Sequence, residues 1–289
     1  MKRFLLKTAG YLILIISIAN LFSFSSLYFL RKSNFYKPLF VNNYTQKHFD
    51  YVVLGSSTGL TTLNAFVIDS MTGMSGLNAS MDDTSMGSQY VMLQQILKSG
   101  KKIDNCVLTI SYVDAGNTTP TLSGNDYRFL PLVKENHIQE YYRGFDTIQA
   151  RILSLSEWLP VIGVAYYNTE IFYPSLVTLI NPKRRNRFDT KGNYVYPDQK
   201  KVKQRAAEGE KITFRNPFFY KIEELCRKNN IELIVYHPPV YKIKVIGEVS
   251  GHQFINHSNL FSDSIYFYDN IHVNRRGRNL ATQAFANEL

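Results

Sequence analysis

Two hydrophobic patterns divide the chain. From Thr8 to Leu30 no residue is charged and Leu, Ile, Phe and Ala dominate, with Lys2, Arg3 and Lys7 before the run and Arg31 and Lys32 after it. About 20 apolar residues in a helix cross the hydrocarbon core of a bilayer, so residues 1–32 are expected to form an N-terminal transmembrane anchor. The rival is a cleaved signal peptide, whose apolar region is shorter and ends in a small-x-small site. Ser23, Ser25 and Ser26 offer a weak version of one. Asn20, in mid-span, reads as a tolerated polar residue or as a hydrogen-bonding group for a partner helix. Basic residues at both ends leave the positive-inside rule little to discriminate; one anchor ahead of a large domain points to a domain outside the cytoplasm. Residues 33–49 read as a juxtamembrane linker.

Beyond it the pattern shortens and alternates. Tyr51–Leu54 is an apolar run ended by Gly55-Ser56-Ser57, as in a buried strand entering a tight turn. A helix over Gly59–Thr72 and a short strand over Ser75–Ala79 follow. Apolar residues at Met86, Tyr90, Leu93, Ile96 and Leu97 predict a helix over Thr84–Lys98, stopped by Gly100. Cys106–Ile110 reads as a third strand. The rhythm resumes with an amphipathic helix over Phe218–Lys228, a strand over Ile231–Tyr236, a short apolar segment at Ile265–Tyr268 and a closing helix over Arg275–Leu289. Alternating strands and helices predict an α/β domain over 50–289, its parallel sheet covered on both faces. The turns after its strands, at Gly55–Ser57, near Asp82 and near Asp114, should gather at the carboxyl edge where such sheets bind ligands. Between 113 and 212 the pattern is lost. This stretch reads as a lid-like insertion over that edge, with some helix around Thr147–Trp158, rather than as a separate domain.

Composition changes this picture little. A hydrophobic fraction of 45% in 289 residues describes a folded chain with a real core. The 20 Tyr and 19 Phe read mainly as packing. The net charge of +10 has one dense focus, Lys183-Arg184-Arg185-Asn186-Arg187, with no nucleic-acid-binding motif beside it. A solvated basic loop is the plain reading, and a contact to anionic headgroups or an acidic glycan the other. Cys106 and Cys226 read as two buried thiols, with one disulfide between them as the alternative; neither has a partner at metal-ligand spacing. His48 and His137 fall in polar segments and are expected to be solvated. His237 follows a strand and is a weaker candidate to face the site. His252 and His257, in a Gly/Asn/Ser-rich loop, do not suggest a metal.

Chemistry concentrates in two short blocks. In Asp269-Asn270-Ile271-His272, a carboxylate three residues before a histidine can accept the Nδ1 proton and leave Nε2 as a base. In Val53-Leu54-Gly55-Ser56-Ser57, a serine on a turn after a buried strand is held exposed, with its amide available to an oxyanion. Either block alone is common, and chemistry does not choose between the two serines. Together, with Tyr268-Asp269-Asn270-Ile271-His272-Val273-Asn274 at the end of the domain, they resemble the first and last blocks of the SGNH (GDSL-like) hydrolases.

That resemblance implies a three-layer, flavodoxin-like SGNH fold and a catalytic set of Ser57, Asp269 and His272. The family's first block is usually Gly-Asp-Ser, so Ser56 departs from it; a Gly-Ser-Ser form is familiar among SGNH-like proteins tied to cell-surface polysaccharides. The second block aligns with Gly76 to Ser85 and lacks the oxyanion glycine, leaving a backbone amide between Ser80 and Asp83, with Asp82 as the assigned position. The third block, Gly-x-Asn-Asp, is poorly matched, and Asn117 is the nearest side-chain donor. The oxyanion set is therefore Ser57, Asp82 and Asn117. The function implied is a serine-dependent esterase or O-acyltransferase acting on a surface glycan or small acyl ester, beside a multi-spanning acyl-donor protein. No metal, cofactor or nucleic acid is implied. The competing class is a non-catalytic SGNH-like binding or assembly protein in polysaccharide export.

Overall fold

The structure, a computed structural model, describes residues 1–199 and 201–289. The apolar run forms one helix, α1 (Lys2–Arg31), long and apolar enough to cross a membrane. The segment expected as a linker instead holds a helix, α2 (Lys37–Asn43), with Leu39, Phe40 and Val41 buried. The first strand, β1 (His48–Leu54), starts three residues earlier than Tyr51. The single helix predicted over Gly59–Thr72 is two, α3 (Ser57–Thr62) and α4 (Ala65–Thr72). Asn64 breaks them by turning extended and accepting the Phe66 N–H, a standard amino-terminal cap. Then come β2 (Gly76–Asn78), α5 (Met86–Lys98), β3 (Lys102–Thr109) and α6 (Tyr112–Gly116). Four helices follow: α7 (Asn136–Arg143), α8 (Ile148–Leu155), α9 (Pro160–Tyr166) and α10 (Asn168–Ile180). The chain ends with β4 (Glu208–Lys211), α11 (Pro217–Lys228), β5 (Glu232–His237), β6 (Ile243–Ile246), β7 (Gln253–Asn256) and α12 (Arg275–Ala286).

Two compact units result, Met1–Asn43 with Asp126–Asn186, and Tyr44–Asn125 with Arg187–Leu289. Of the stretch 113–212, only 126–186 leaves the sheet-bearing unit, and it joins α1 and α2 in a helical unit of its own. The insertion is thus narrower than expected from sequence and has its own packed partner. His137, expected in a solvated loop, lies on α7 and is buried.

The larger unit is an α/β sandwich. Its main sheet has five parallel strands in the order β2-β1-β3-β5-β7. The chain reverses direction at β1, with β2 on one side and the later strands on the other. On one face Tyr51, Val53, Val107, Ile234, Tyr236 and Ile255 pack with residues of α4 and α12. Helices α5 and α11, which pack on each other, touch β1 and β5 respectively. The strand β7 lies inside the loop that carries His252 and His257, where a four-residue run with two apolar side chains gave no strand signal. His252 pairs with Glu223 at 2.7 Å and His257 with Glu288 at 2.6 Å. β4 and β6 form a separate parallel pair. Cys106 and Cys226 are free and buried; the neighbouring Cys226 thiol, with burial, pushes the Cys106 thiol well above its ordinary range.

Candidate active site

The Gly55–Ser57 turn leaves the sheet at the carboxyl end of β1, beside β3, where the strand order reverses. Such a reversal opens a crevice. The turn is tight because two glycines let backbones close on each other. A Cβ at Gly55 would stand 2.8 Å from Thr109 Cβ, and one at Gly59 would stand 2.9 Å from Ser80 Oγ and from Thr109 Cβ. Ser57 opens α3, so its amide belongs to the first turn, whose N–H groups have no intrahelical acceptor. The Ser56 side chain turns instead to Thr58 Oγ1 at 3.3 Å.

At the other end of the unit, Asn274 shapes the Asp269–His272 loop. It caps α12 by accepting from Arg276 and Gly277 N–H, and its Nδ2 donates to Ile265 O at 2.7 Å. Gly277 is required there, since any side chain would run into Tyr266 O. Within the loop, Asp269 Oδ1 accepts the amides of Ile271 and His272 at 2.9 and 2.8 Å. The imidazole Nδ1 lies 3.0 and 2.9 Å from the two carboxylate oxygens, and Nε2 lies 2.8 Å from Ser57 Oγ. An ionised carboxylate only accepts, so Nδ1 carries the proton and Nε2 accepts from the Ser57 hydroxyl. Partial burial works against ionisation of Asp269, but the His272 ring N–H and the two amides outweigh it and hold the carboxyl below its ordinary range. His272 itself is buried.

The chain matches no family model, and no curated protein is similar to it in sequence.

The remaining expected residues divide. Past β2 the chain runs alongside the Ser57 turn, since Ala79 N–H donates to Val53 O and Met81 N–H to Gly55 O. That register holds Met81 against the Gly55 turn, with Asp82 next in the chain and its charge close to Tyr196. It also spends two of the four amides considered, Met81 on Gly55 O and Ser80 on Asn78 Oδ1. Asn117 makes local hydrogen bonds: its amide donates to Asp114 O, and its Oδ1 accepts Thr119 N–H. Among the described residues no hydrogen bond joins Asn117 to Ser57, Asp82 or His272. His237 ends β5 fully buried, its Nδ1 2.9 Å from Pro238 O, its ring stacked near Tyr112 and its Nε2 without a partner.

One residue the sequence did not single out completes the wall. Tyr196 meets the His272 ring edge-on, with centroids 5.1 Å apart, and stacks on Tyr268 at 4.3 Å. The return segment carries it there. Lys191 O accepts Asn78 N–H, Asn193 Oδ1 accepts Ala65 N–H, and Tyr196 bridges Asn274. Burial, with Tyr194, Asp269, Asp82 and Tyr268 around it, pushes the Tyr196 hydroxyl up to about 12. No composition or spacing signal marks Tyr196 among twenty tyrosines.

A separate group, His48, Asp50 and Asp104, brings three ligand atoms within 4.8 Å of one another at the opposite edge of the sheet. His48 and Asp104 are exposed and already paired at 2.9 Å, and Asp50 accepts Ser75 N–H. Nothing further there points to a bound ion.

Proposed function

We propose that the protein is a serine-dependent acyl-ester hydrolase or O-acyltransferase of SGNH type, tethered to a membrane by α1 with its α/β unit outside the cytoplasm. The observation that carries this reading is the continuous hydrogen-bonded line from Ser57 Oγ through His272 to Asp269. Counting only the five strands of the main sheet, the order is 2-1-3-4-5, the flavodoxin-like doubly wound order, which supports the fold that the resemblance implies.

In the first half-reaction His272 Nε2 takes the Ser57 proton as Oγ attacks the ester carbonyl. The carbonyl oxygen becomes an oxyanion, faced by the Ser57 amide and by an amide at Asp82. When the tetrahedral adduct collapses, His272 returns the proton to the departing alkoxide, leaving an acyl group on Ser57. In the second half-reaction water, or a sugar hydroxyl, gives its proton to His272 and attacks the acyl carbon. Ser57 leaves and is reprotonated. Asp269 keeps the imidazole in the required tautomer and stabilises the imidazolium. The Gly-Ser-Ser form favours a surface glycan as acceptor or substrate, with a multi-spanning protein as acyl donor.

Purified protein with a chromogenic acetyl ester tests the chemistry. Ser57→Ala should lower kcat by about 10⁴-fold or more and abolish covalent labelling by a fluorophosphonate. A wild-type protein that neither turns over the ester nor takes the label would support the competing class, an SGNH-like binding module.

A further inference from the structure

We propose that α8–α10 form a second membrane contact, their outward face seated in the leaflet that the carboxyl-terminal half of α1 crosses, with acyl chains and anionic headgroups as its occupant. This rests on the reading of α1 as a membrane anchor. Residues 2–18 of α1 are exposed all round. Further on, one face becomes buried at Ser23, Ser26, Leu27 and Leu30, where α9 and α10 pack against the helix. Asn20 Oδ1 accepts the Val161 N–H at 3.1 Å. The one strongly polar side chain inside the apolar run therefore satisfies an orphan amide at the start of α9, as backbone below the headgroups requires. Asn20 stands about 16 Å along the helix from Arg31, against a hydrocarbon core about 30 Å thick. The start of α9 is thus carried below the level of the basic residues that end the anchor.

The side-chain pattern departs from that of a helix facing water, with large apolar residues on the outer face as well as the inner one. On α10 the buried residues include Ser175 and Thr178, while Phe172, Tyr173, Leu176, Leu179 and Ile180 are exposed, Ile180 by 88%. Leu27 and Leu30 of α1, Val164 of α9 and Ile171 of α10 are buried there too, but with Ser23, Ser26 and Gly163 also buried small and hydroxylated residues take a large share of the helix contacts while several large apolar ones face out. Helices packed in lipid show this arrangement, because lipid offers no hydrophobic drive to bury the apolar side chains. At about 20 Å, α10 is too short to span. Large apolar residues are exposed at the junction of α8 and α9 as well, where Leu155, Trp158 and Leu159 face out, Trp158 by 75%. Charge completes the fit. Asn34 N–H donates to Pro182 O and Asn186 N–H to Phe35 O, which holds Lys183, Arg184 and Arg185 beside the Arg31–Lys32 end of α1. Such a cluster suits an anionic leaflet surface.

Trp158 is the chain's single tryptophan, so the full-length protein reports on itself. It would be reconstituted in phosphatidylcholine–phosphatidylglycerol vesicles whose phosphatidylcholine carries bromines on its acyl chains, then floated and read by fluorescence. The expected result is that the protein floats, that Trp158 emission is quenched by the bromines, and that aqueous iodide loses its quenching relative to detergent-free soluble tryptophan. A floating protein whose Trp158 is quenched by iodide and untouched by bromines overturns the proposal and leaves the anchor intact. Protection from both quenchers also overturns it, since a second copy would then cover the face. Failure to float removes the anchor reading and this proposal with it.

Discussion

His237 is a buried side chain that should weaken the fold in acid. Burial pushes its imidazole down to about 4 from an ordinary 6.5, against a weaker pull from the Pro238 carbonyl. Above pH 6.5 neither the folded nor the unfolded chain binds this proton, and the residue is neutral to stability. Between 6.5 and 4 the unfolded chain takes the proton and the folded chain does not, so stability falls as pH falls. The loss approaches about 3 kcal/mol near pH 4. Urea midpoints measured from neutrality down to that pH should fall steeply in the wild type and less so in His237→Phe; equal slopes would remove His237 as the cause. The sequence offered this histidine as a possible wall of the site, because a strand end is where such residues point. It could not say which face of the strand the side chain takes. The alternation of β5 decides that, putting Ile234 and Tyr236 with the α4 and α12 core and His237 on the other side. By contrast the meeting of Ser57, Asp269 and His272 was legible, since each stands in a contiguous block whose neighbours dictate its local geometry. Tyr196 was not, because its place depends on the path of a return segment that has no periodic pattern of its own.

Elements hold the site by their ends more than by their middles. The short α3 begins at Ser57, and α12 begins just after the loop that carries His272, so both side chains are placed by helix starts. Asn274 is the joint between α12 and that loop, satisfying two amides of α12 and one carbonyl of the loop at once. Replacing it with alanine removes a cap, at about 1 kcal/mol, and leaves the Ile265 carbonyl without its side-chain donor, at about 1–2 kcal/mol more. Asn274→Ala should therefore lose about 2–3 kcal/mol in urea unfolding and also turn over ester more slowly. Asn274→Asp, which keeps the capping oxygen, should recover the cap but not the loop contact, and so fall between the two in both measurements. Identical turnover in all three proteins would separate the cap from the site. The sequence reads the start of α12 at Arg275, puts the start of α3 two residues late at Gly59, and fails on strands of the length of β4, β6 and β7. Runs of four residues, with no apolar side chain in β4, three in β6 and two in β7, are too short to carry a periodic signal, yet pairing with a neighbouring strand is enough to order them.

For the whole molecule, the sequence separated an apolar terminus from an α/β chain, and missed that the middle of the chain folds with the terminus. Within 126–186 α7 carries an ordinary amphipathic stripe, but α10 has large apolar residues on its exposed as well as its buried face, the pattern that a face turned to lipid would give. If so, the two parts of α1 differ in what they do. Residues 2–18 are exposed among the described residues, whereas the later turns are part of a packed helical unit. A chain starting at Ala19 should keep its fold and its turnover of a soluble acetyl ester, since it loses no packed residue. Its membrane binding should change in kind. A full-length anchor holds by hydrophobic burial and resists salt, while the shortened chain would be left with the apolar face of α8–α10 and the Lys183–Arg185 cluster. Attraction to an anionic surface weakens as salt shortens the screening length from about 10 Å at 0.1 M to about 3 Å at 1 M. Co-sedimentation with phosphatidylglycerol-containing vesicles should accordingly be salt-insensitive for the full chain and salt-released for the shortened one. A shortened chain that stayed bound at 1 M salt would mean that the helical unit alone is embedded deeply enough to act as an anchor. One that never bound would mean that α1 is the whole of the membrane contact.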